Sequence, residues 1–244
     1  MKKNYSVFIL MFAIISLLQL PLKAQFVPGN VYDAAKVIDP DYGIKIYERL
    51  NLQTGGDSVR IDKKGYACQG WVEDKYTDGT LMHKGYYEDG QLKIYKNYFP
   101  NGALERTFKN NDFKRCTLVI YFQDGKKKSE ITYYLGNPQI WTDYYPNGQI
   151  EFAEESTKDM EYLIYRRSYL EDGKPQELFE ITDLKKKLYN KKEYYEDGKI
   201  KAEGMMRFSP AAYDYQKEGA WKVYDENGKE SIENYVKGER VTGE

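Results

Sequence analysis

The sequence predicts an all-β fold: an extended antiparallel meander of tandem β-hairpin repeats, forming a single open twisted sheet. Three observations predict it. One segment, Tyr144-Tyr145-Pro146-Asn147-Gly148-Gln149-Ile150-Glu151, returns in close form at 86–93, 98–105 and 194–201. It returns more loosely around Gly125, Gly173 and Gly228, and in degraded form around Gly79. Self-similarity of this kind fixes an architecture before any single motif is weighed. Each copy also sets Asn-Gly or Asp-Gly between runs of Tyr, Phe, Leu and Ile, a strong local hairpin signal. Finally, Gly102, Gly125 and Gly148 stand 23 residues apart with a weaker turn midway between them. Two short strands and their loops fill that spacing.

The turn chemistry sets the expected register. Pro100 and Pro146 occupy the place where a two-residue turn would need a backbone donor, and proline has none. A three-residue loop such as Pro-Asn-Gly follows, with the glycine in the left-handed region as a G1 bulge. Counting that glycine as zero, position −3 then faces +1 and −4 faces +2. Position −4 is Tyr in seven of the eight copies, and +2 is Leu92, Leu104, Ile150 or Ile200 in the four best ones. Such aromatic–aliphatic cross-strand pairs contribute roughly 0.2–1 kcal/mol each. Position −3 is aromatic as well at Tyr87, Phe99, Phe122, Tyr145 and Tyr195. Neighbours on a strand point to opposite faces, so both faces carry rings.

Along the chain, residues 1–24 read as a signal peptide. Lys2 and Lys3 precede an uncharged run from Val7 to Leu20, and Leu22-Lys23-Ala24 suits cleavage. A run of fourteen residues is short for a spanning helix, which needs roughly 17–25. The uncleaved anchor is the alternative. No Cys marks a lipoprotein, and no integral membrane span is expected in the mature chain. Residues 25–63 lack the repeat and are expected to be a lead-in that caps the open edge of the sheet. Within them Asn30–Asp41 reads as irregular, Tyr42–Arg49 as a first strand, and Thr54-Gly55-Gly56-Asp57 as a turn before a strand over Ser58–Asp62. Residues 64–244 form the repeat domain, interrupted by an apparent insertion at Met205–Lys217.

Composition narrows the function. Without the three lysines of the leader, 34 basic residues stand against 38 acidic ones, a net charge of −4. That surface offers no basic field for nucleic acid. His83 is the sole histidine and is expected to be a solvated strand residue, which leaves no Ser-His-Asp or Cys-His chemistry. Cys68 and Cys116 lie about four strands apart, near 19 Å at roughly 4.8 Å per strand. That exceeds the roughly 7 Å a disulfide spans, so two buried free thiols are expected. Asp225-Glu226-Asn227-Gly228 imitates a calcium loop, but Val223 and Asn234 fall where ligands are required. No metal and no cofactor is expected. Carboxylates are abundant, yet nothing singles out the two a glycosidase needs. Trp141 and Trp221 share position −7, as structural packing would arrange them, while Trp71 is one residue off it. A carbohydrate-binding platform would instead show exposed Trp or Tyr clusters outside the repeat register.

The stretch Gly219-Ala220-Trp221-Lys222-Val223-Tyr224-Asp225-Glu226-Asn227-Gly228, followed by Tyr235-Val236-Lys237-Gly238, resembles the bacterial variant of the MORN repeat. Trp141 to Gly148 carries the same core. The resemblance implies an extended sheet of hairpins and an interaction or scaffolding role, with no catalytic residues to carry over. Some bacterial members bear an antitoxin label, which fits poorly with export. The expectation is thus a non-enzymatic, exported repeat protein that binds or scaffolds proteins in the bacterial cell envelope, in the periplasm or at the outer membrane or cell surface. A carbohydrate-binding surface protein is the first alternative; an antitoxin-like binder and a glycoside-acting enzyme follow. A protein partner is expected and a glycan is allowed. Tyr98, Tyr121, Tyr144 and Tyr145 are the candidate partner-binding residues, because ring surface on a lone sheet has no second layer to cover it.

Overall fold

Alternation of aromatic and polar residues between tight turns builds one sheet of fifteen strands in strict sequence order. The structure is a computed structural model describing residues 31–33 and 47–241. The expected signal peptide and the stretch 34–46 lie outside the described residues. The first half of the sheet comprises β3 (Gly70–Lys75), β4 (Leu81–Glu88), β5 (Gln91–Tyr98), β6 (Leu104–Asn110), β7 (Arg115–Tyr121), β8 (Lys127–Tyr134) and β9 (Asn137–Tyr144). The second comprises β10 (Ile150–Ser156), β11 (Leu163–Tyr169), β12 (Pro175–Asp183), β13 (Leu188–Tyr194), β14 (Ile200–Ser209), β15 (Asp214–Tyr224), β16 (Glu230–Val236) and β17 (Glu239–Val241). Every pairing within it is antiparallel.

The three-residue loops are as expected. Tyr145 N–H donates to Gln149 O and Gly148 N–H to Tyr145 O, each at 2.8 Å, and Gly148 sits at φ 89°. Tyr144 faces Ile150, Tyr98 faces Leu104 and Tyr194 faces Ile200. A second irregularity, invisible in the sequence, follows each of these turns. After Tyr144↔Ile150 the ladder skips Glu151 and resumes at Asp143↔Phe152; after Tyr98↔Leu104 it resumes at Asn97↔Arg106. An extra residue on one strand raises local twist. Repeated at successive hairpins, it coils the sheet instead of leaving it flat.

The copy at Gly90 departs from the expected register. Asp89 (φ 49°) and Gly90 (φ 75°) make a two-residue turn in which Glu88 faces Gln91. Leu92 therefore lies opposite Tyr87, not Tyr86. No proline precedes this turn, so the tighter geometry is available. Packing also demands it, because Arg60 N–H donates to Gly90 O and Gly90 N–H donates to Cys68 O.

Those bonds come from the N-terminal segment. Here β2 (Val59–Ile61) pairs in parallel with β1 (Val31–Asp33), a strand within the stretch expected to be irregular. Residues 47–49 form a helical turn where a strand was expected, and a short 3-10 helix follows at Leu52–Thr54. The segment caps a face more than an edge. Tyr47, Leu50 and Cys68 join Tyr87, Leu92, Tyr95, Phe108, Leu118 and Ile131 in one core, spanning β4 to β8. A face carrying this many rings offers far more apolar area than an edge does.

The supposed insertion at Met205–Lys217 is instead the end of a long hairpin. β14 and β15 stay paired from Met205↔Glu218 out to Ser209↔Asp214, and the tip curls over the same face. Leu163 N–H donates to Tyr215 Oη at 2.6 Å, although β11 and β15 are not neighbours in the sheet. Phe179, Tyr189 and Phe208 pack there with Leu163 as a second core. One face, the inner, is thus covered twice by different means.

The turn glycines separate two effects. A Cβ at Gly148 meets no atom, whereas at Gly90 it would stand 2.3 Å from Val59 Cγ1 and 2.6 Å from Arg60 O. Gly148→Ala should therefore show only the cost of positive φ, about 1 kcal/mol. Gly90→Ala should cost clearly more and loosen the cap, as urea unfolding midpoints would show. Equal costs would mean the cap does not rest on this turn.

Candidate functional site

Two features can be built from the residues upward: a polar cluster sealed beneath the cap, and an aromatic, lysine-bordered groove on the outer face.

The sealed cluster centres on His83, and here the expectation of a solvated histidine fails. His83 is fully buried. The ladder shift between Asp74 and Lys75 sets His83 opposite Asp74 on the inner face, where the cap covers it. Its Nδ1–H donates to Asn97 Oδ1 at 2.7 Å, so Nε2 accepts from Tyr87 Oη at 2.9 Å. Tyr87 Oη in turn accepts from Arg60 Nη1 at 3.0 Å. Tyr47 stacks on the imidazole at 3.7 Å and donates its hydroxyl to Asp74 Oδ2 at 2.6 Å. Arg60 grips Asp74 by two parallel bonds of 2.6 and 2.7 Å. Arg106 also pairs with Glu48 of the cap while resting on Glu105.

Electrostatics follow burial. Burial holds His83 neutral, its pKa lowered to about 4, against the pull of the Asn97 bond and Asp74. Burial alone would raise Asp74, but the Arg60 bonds and the Tyr47 hydroxyl outweigh it and hold the carboxyl below its ordinary range. A tyrosine hydroxyl on a histidine nitrogen looks like an activated nucleophile, yet neither Tyr87 nor His83 reaches solvent. The cluster ties the cap to the sheet. Cys68 and Cys116 belong to the same core, remain free thiols as expected, and have pKa values raised by burial, Cys116 to about 11. Among the described residues no group of His, Cys, Asp or Glu is placed to hold a metal ion.

The ring stripe divides by position. Tyr98, Tyr121 and Tyr144 are half-buried on the outer face. Tyr145, one residue on, spends its hydroxyl on the neighbouring hairpin, donating to Tyr169 O at 2.9 Å. The same latch recurs as Tyr76 to Tyr98 O at 2.7 Å and Tyr195 to Tyr224 O at 2.8 Å. It links position −3 of one copy to the carbonyl at −4 of the next copy along the same end of the sheet. Phe99, Phe122 and Leu170 interrupt it because they carry no hydroxyl.

The tryptophans separate likewise. Trp221 is fully buried, donates Nε1–H to Met205 O at 2.9 Å, and lies where a Cβ on Gly204 would collide with its ring. Trp141, at the same repeat position, is 36% exposed and bonds Asp143. Trp71, the one out of register, is 58% exposed. It borders a groove of about 450 Å³ on β3–β6 together with Ile94, Tyr98 and the lysines 84, 96 and 109. Of the four candidate tyrosines only Tyr98 enters this groove. The groove as a unit is not legible in sequence, since its members come from four strands; the out-of-register Trp71 was its one signal.

An open sheet of tandem hairpins latched copy to copy defines a solenoid-like all-β repeat protein. Its segments 140–155, 190–207 and 217–236 match the MORN repeat variant. In these three segments the chain carries MORN-variant repeats. A search of curated proteins returns no match. Among solved structures it is similar to a point mutant of S. aureus TarM in complex with fondaparinux, alpha-GlcNAc-glycerol and UDP. That likeness has 8% identity and a TM-score of 0.27, over 62% of this chain and 32% of that one. At that level it bears on neither architecture nor function.

Two outcomes follow from the sealed cluster. Asp74→Ala strands the buried Arg60 charge and should cost about 3–5 kcal/mol, whereas joint replacement of Arg60 by Met and Asp74 by Leu should recover most of it. Urea unfolding of the three proteins checks this. Acid should act through His83: its folded pKa lies below its unfolded value near 6.5, so the unfolded state takes up the proton first and stability falls as pH drops through that window. The loss should reach roughly 2 kcal/mol by pH 5 and should be absent in His83→Gln, measured as unfolding free energy from pH 7.5 to 5.

Proposed function

We propose that this repeat protein is exported and works without catalysis, as a protein-binding or scaffolding module of a bacterial cell envelope. One observation carries the binding role: the inner face is covered by the cap and the curled hairpin, while among the described residues nothing covers the ring stripe of the outer face. Tyr98, Tyr121 and Tyr144 follow one another along that face, each with a large apolar body and a polar tip, a combination suited to contacts made in water. Among the described residues no helix is long and apolar enough to cross a membrane. Export rests on the basic start, the short apolar run and the small residue at Ala24.

The test begins with cell fractionation and N-terminal sequencing of the native protein, which should start at Gln25 in the envelope fraction. An intact Met1 in the cytoplasm would sink the export reading. Affinity isolation then separates binding from folding. Tyr121→Ser and Tyr144→Ser should keep the thermal midpoint near that of the parent and lose a stoichiometric partner. Tyr145→Ser should lower the midpoint, because it removes the latch to Tyr169 O. If Tyr121→Ser and Tyr144→Ser lower the midpoint as much as Tyr145→Ser does and no partner is lost, the stripe is packing only.

A further inference from the structure

The groove beside Trp71 holds more than the ring stripe requires. Lys84 and Lys96 are direct cross-strand partners on β4 and β5, and Lys96 in turn faces Thr107 on β6. Like charges set directly opposite one another are destabilising in a sheet. Glu73 relieves half of this, pairing with Lys84 at 2.8 Å, and Lys84 also leans over the Trp71 ring at 5.8 Å. Among the described residues Lys96 and Lys109 have no acidic partner, and both are exposed. The groove therefore keeps two uncompensated positive charges beside an exposed indole and the exposed Ile94.

Packing does not account for Trp71. Its repeat counterpart Trp221 is buried with its N–H satisfied by Met205 O, whereas Trp71 is one residue out of step, leans edge-on against Tyr86, and leaves much of its ring to solvent. An exposed indole beside unpaired ammonium groups, with Thr107 facing Lys96 on the next strand, suits a ligand that is flat and apolar on one side, anionic at its rim and hydroxylated elsewhere. A uronic acid residue in a pyranose ring has those three properties at once: an axial C–H face, a ring carboxylate and hydroxyls. A chain of such residues would carry further carboxylates past Lys96 and Lys109. An acidic peptide supplies the carboxylates but has no need of the indole.

We propose that the outer-face groove of β3–β6 is a binding site for an acidic, uronate-containing polysaccharide, with a sugar ring stacked on Trp71 and carboxylates on Lys96 and Lys109. This stands apart from the protein-binding role, since it concerns a different ligand and only Tyr98 is common to both surfaces.

Calorimetric titration of the full mature chain with oligomers of polygalacturonate and of alginate tests it, with a neutral dextran oligomer and polyglutamate alongside. Binding of at least one polyuronate is expected, weakening as ionic strength rises because exposed charges are screened. Trp71→Ala and Lys96→Glu should each weaken it at least tenfold with the thermal midpoint kept, since both side chains are exposed. Trp141→Ala should leave it unchanged. No binding to either polyuronate overturns the proposal. So does equal binding to dextran, which removes the role of charge. Equal binding to polyglutamate with no effect of Trp71→Ala likewise overturns it and assigns the groove to acidic peptides.

Discussion

A single-layer sheet with rings on both faces cannot bury both, and the remainder of this structure answers that constraint. Water exclusion from ring surface is the main source of stability available to a fold of short strands and tight turns. A lone sheet gives each strand two neighbours but no second layer. Among the described residues the chain supplies a second layer to one face only. At one end the cap brings Tyr47 and Leu50 down on Tyr87, Tyr95 and Phe108; at the other the sheet supplies its own cover, curling the β14–β15 tip back to Leu163.

The two solutions differ in chemistry. The cap is joined by charge and directed hydrogen bonds: Arg60 with Asp74, Arg106 with Glu48, and the relay from Arg60 through Tyr87 and His83 to Asn97. Such groups stabilise little when complete but cost heavily when broken, so they fix one docking geometry among many apolar ones. The curled hairpin is held by tyrosines: Tyr215 accepts from Leu163 N–H, and Tyr189 donates to Leu163 O. Between repeats the same residue type serves as a latch, and Tyr145 has its hydroxyl committed there. The outer face is left free for recognition, with rings, lysines and no cover among the described residues.

The repeat made the fold legible. Asn-Gly preceded by Pro100 or Pro146 dictates a three-residue loop, and the pairing of Tyr144 with Ile150 follows from local turn geometry alone. What the sequence concealed is long-range. The second bulge that follows most of these turns has no residue signature, so the coiling it causes and the return of Tyr215 to Leu163 were hidden. His83 read as solvated because its burial depends on Tyr47, 36 residues earlier, and on a ladder shift at Asp74. Met205–Lys217 read as an insertion because Pro210 and two alanines break the motif, although the strands continue to pair up to Ser209↔Asp214. In the groove, Trp71 was marked by its offset, while Lys84 and Lys96 become neighbours only once register is known.

The central claim is that the inner face is sealed and the outer face open, and side-chain oxidation by hydroxyl radicals, read by mass spectrometry on the native protein, tests it most directly. Trp71 should be modified rapidly, while Trp221, Tyr87, Tyr95 and Tyr189 should stay protected until the protein unfolds. Oxidation of Tyr87 and Tyr95 at a rate near that of Trp71 would contradict the account, because it would mean that the cap does not cover the sheet.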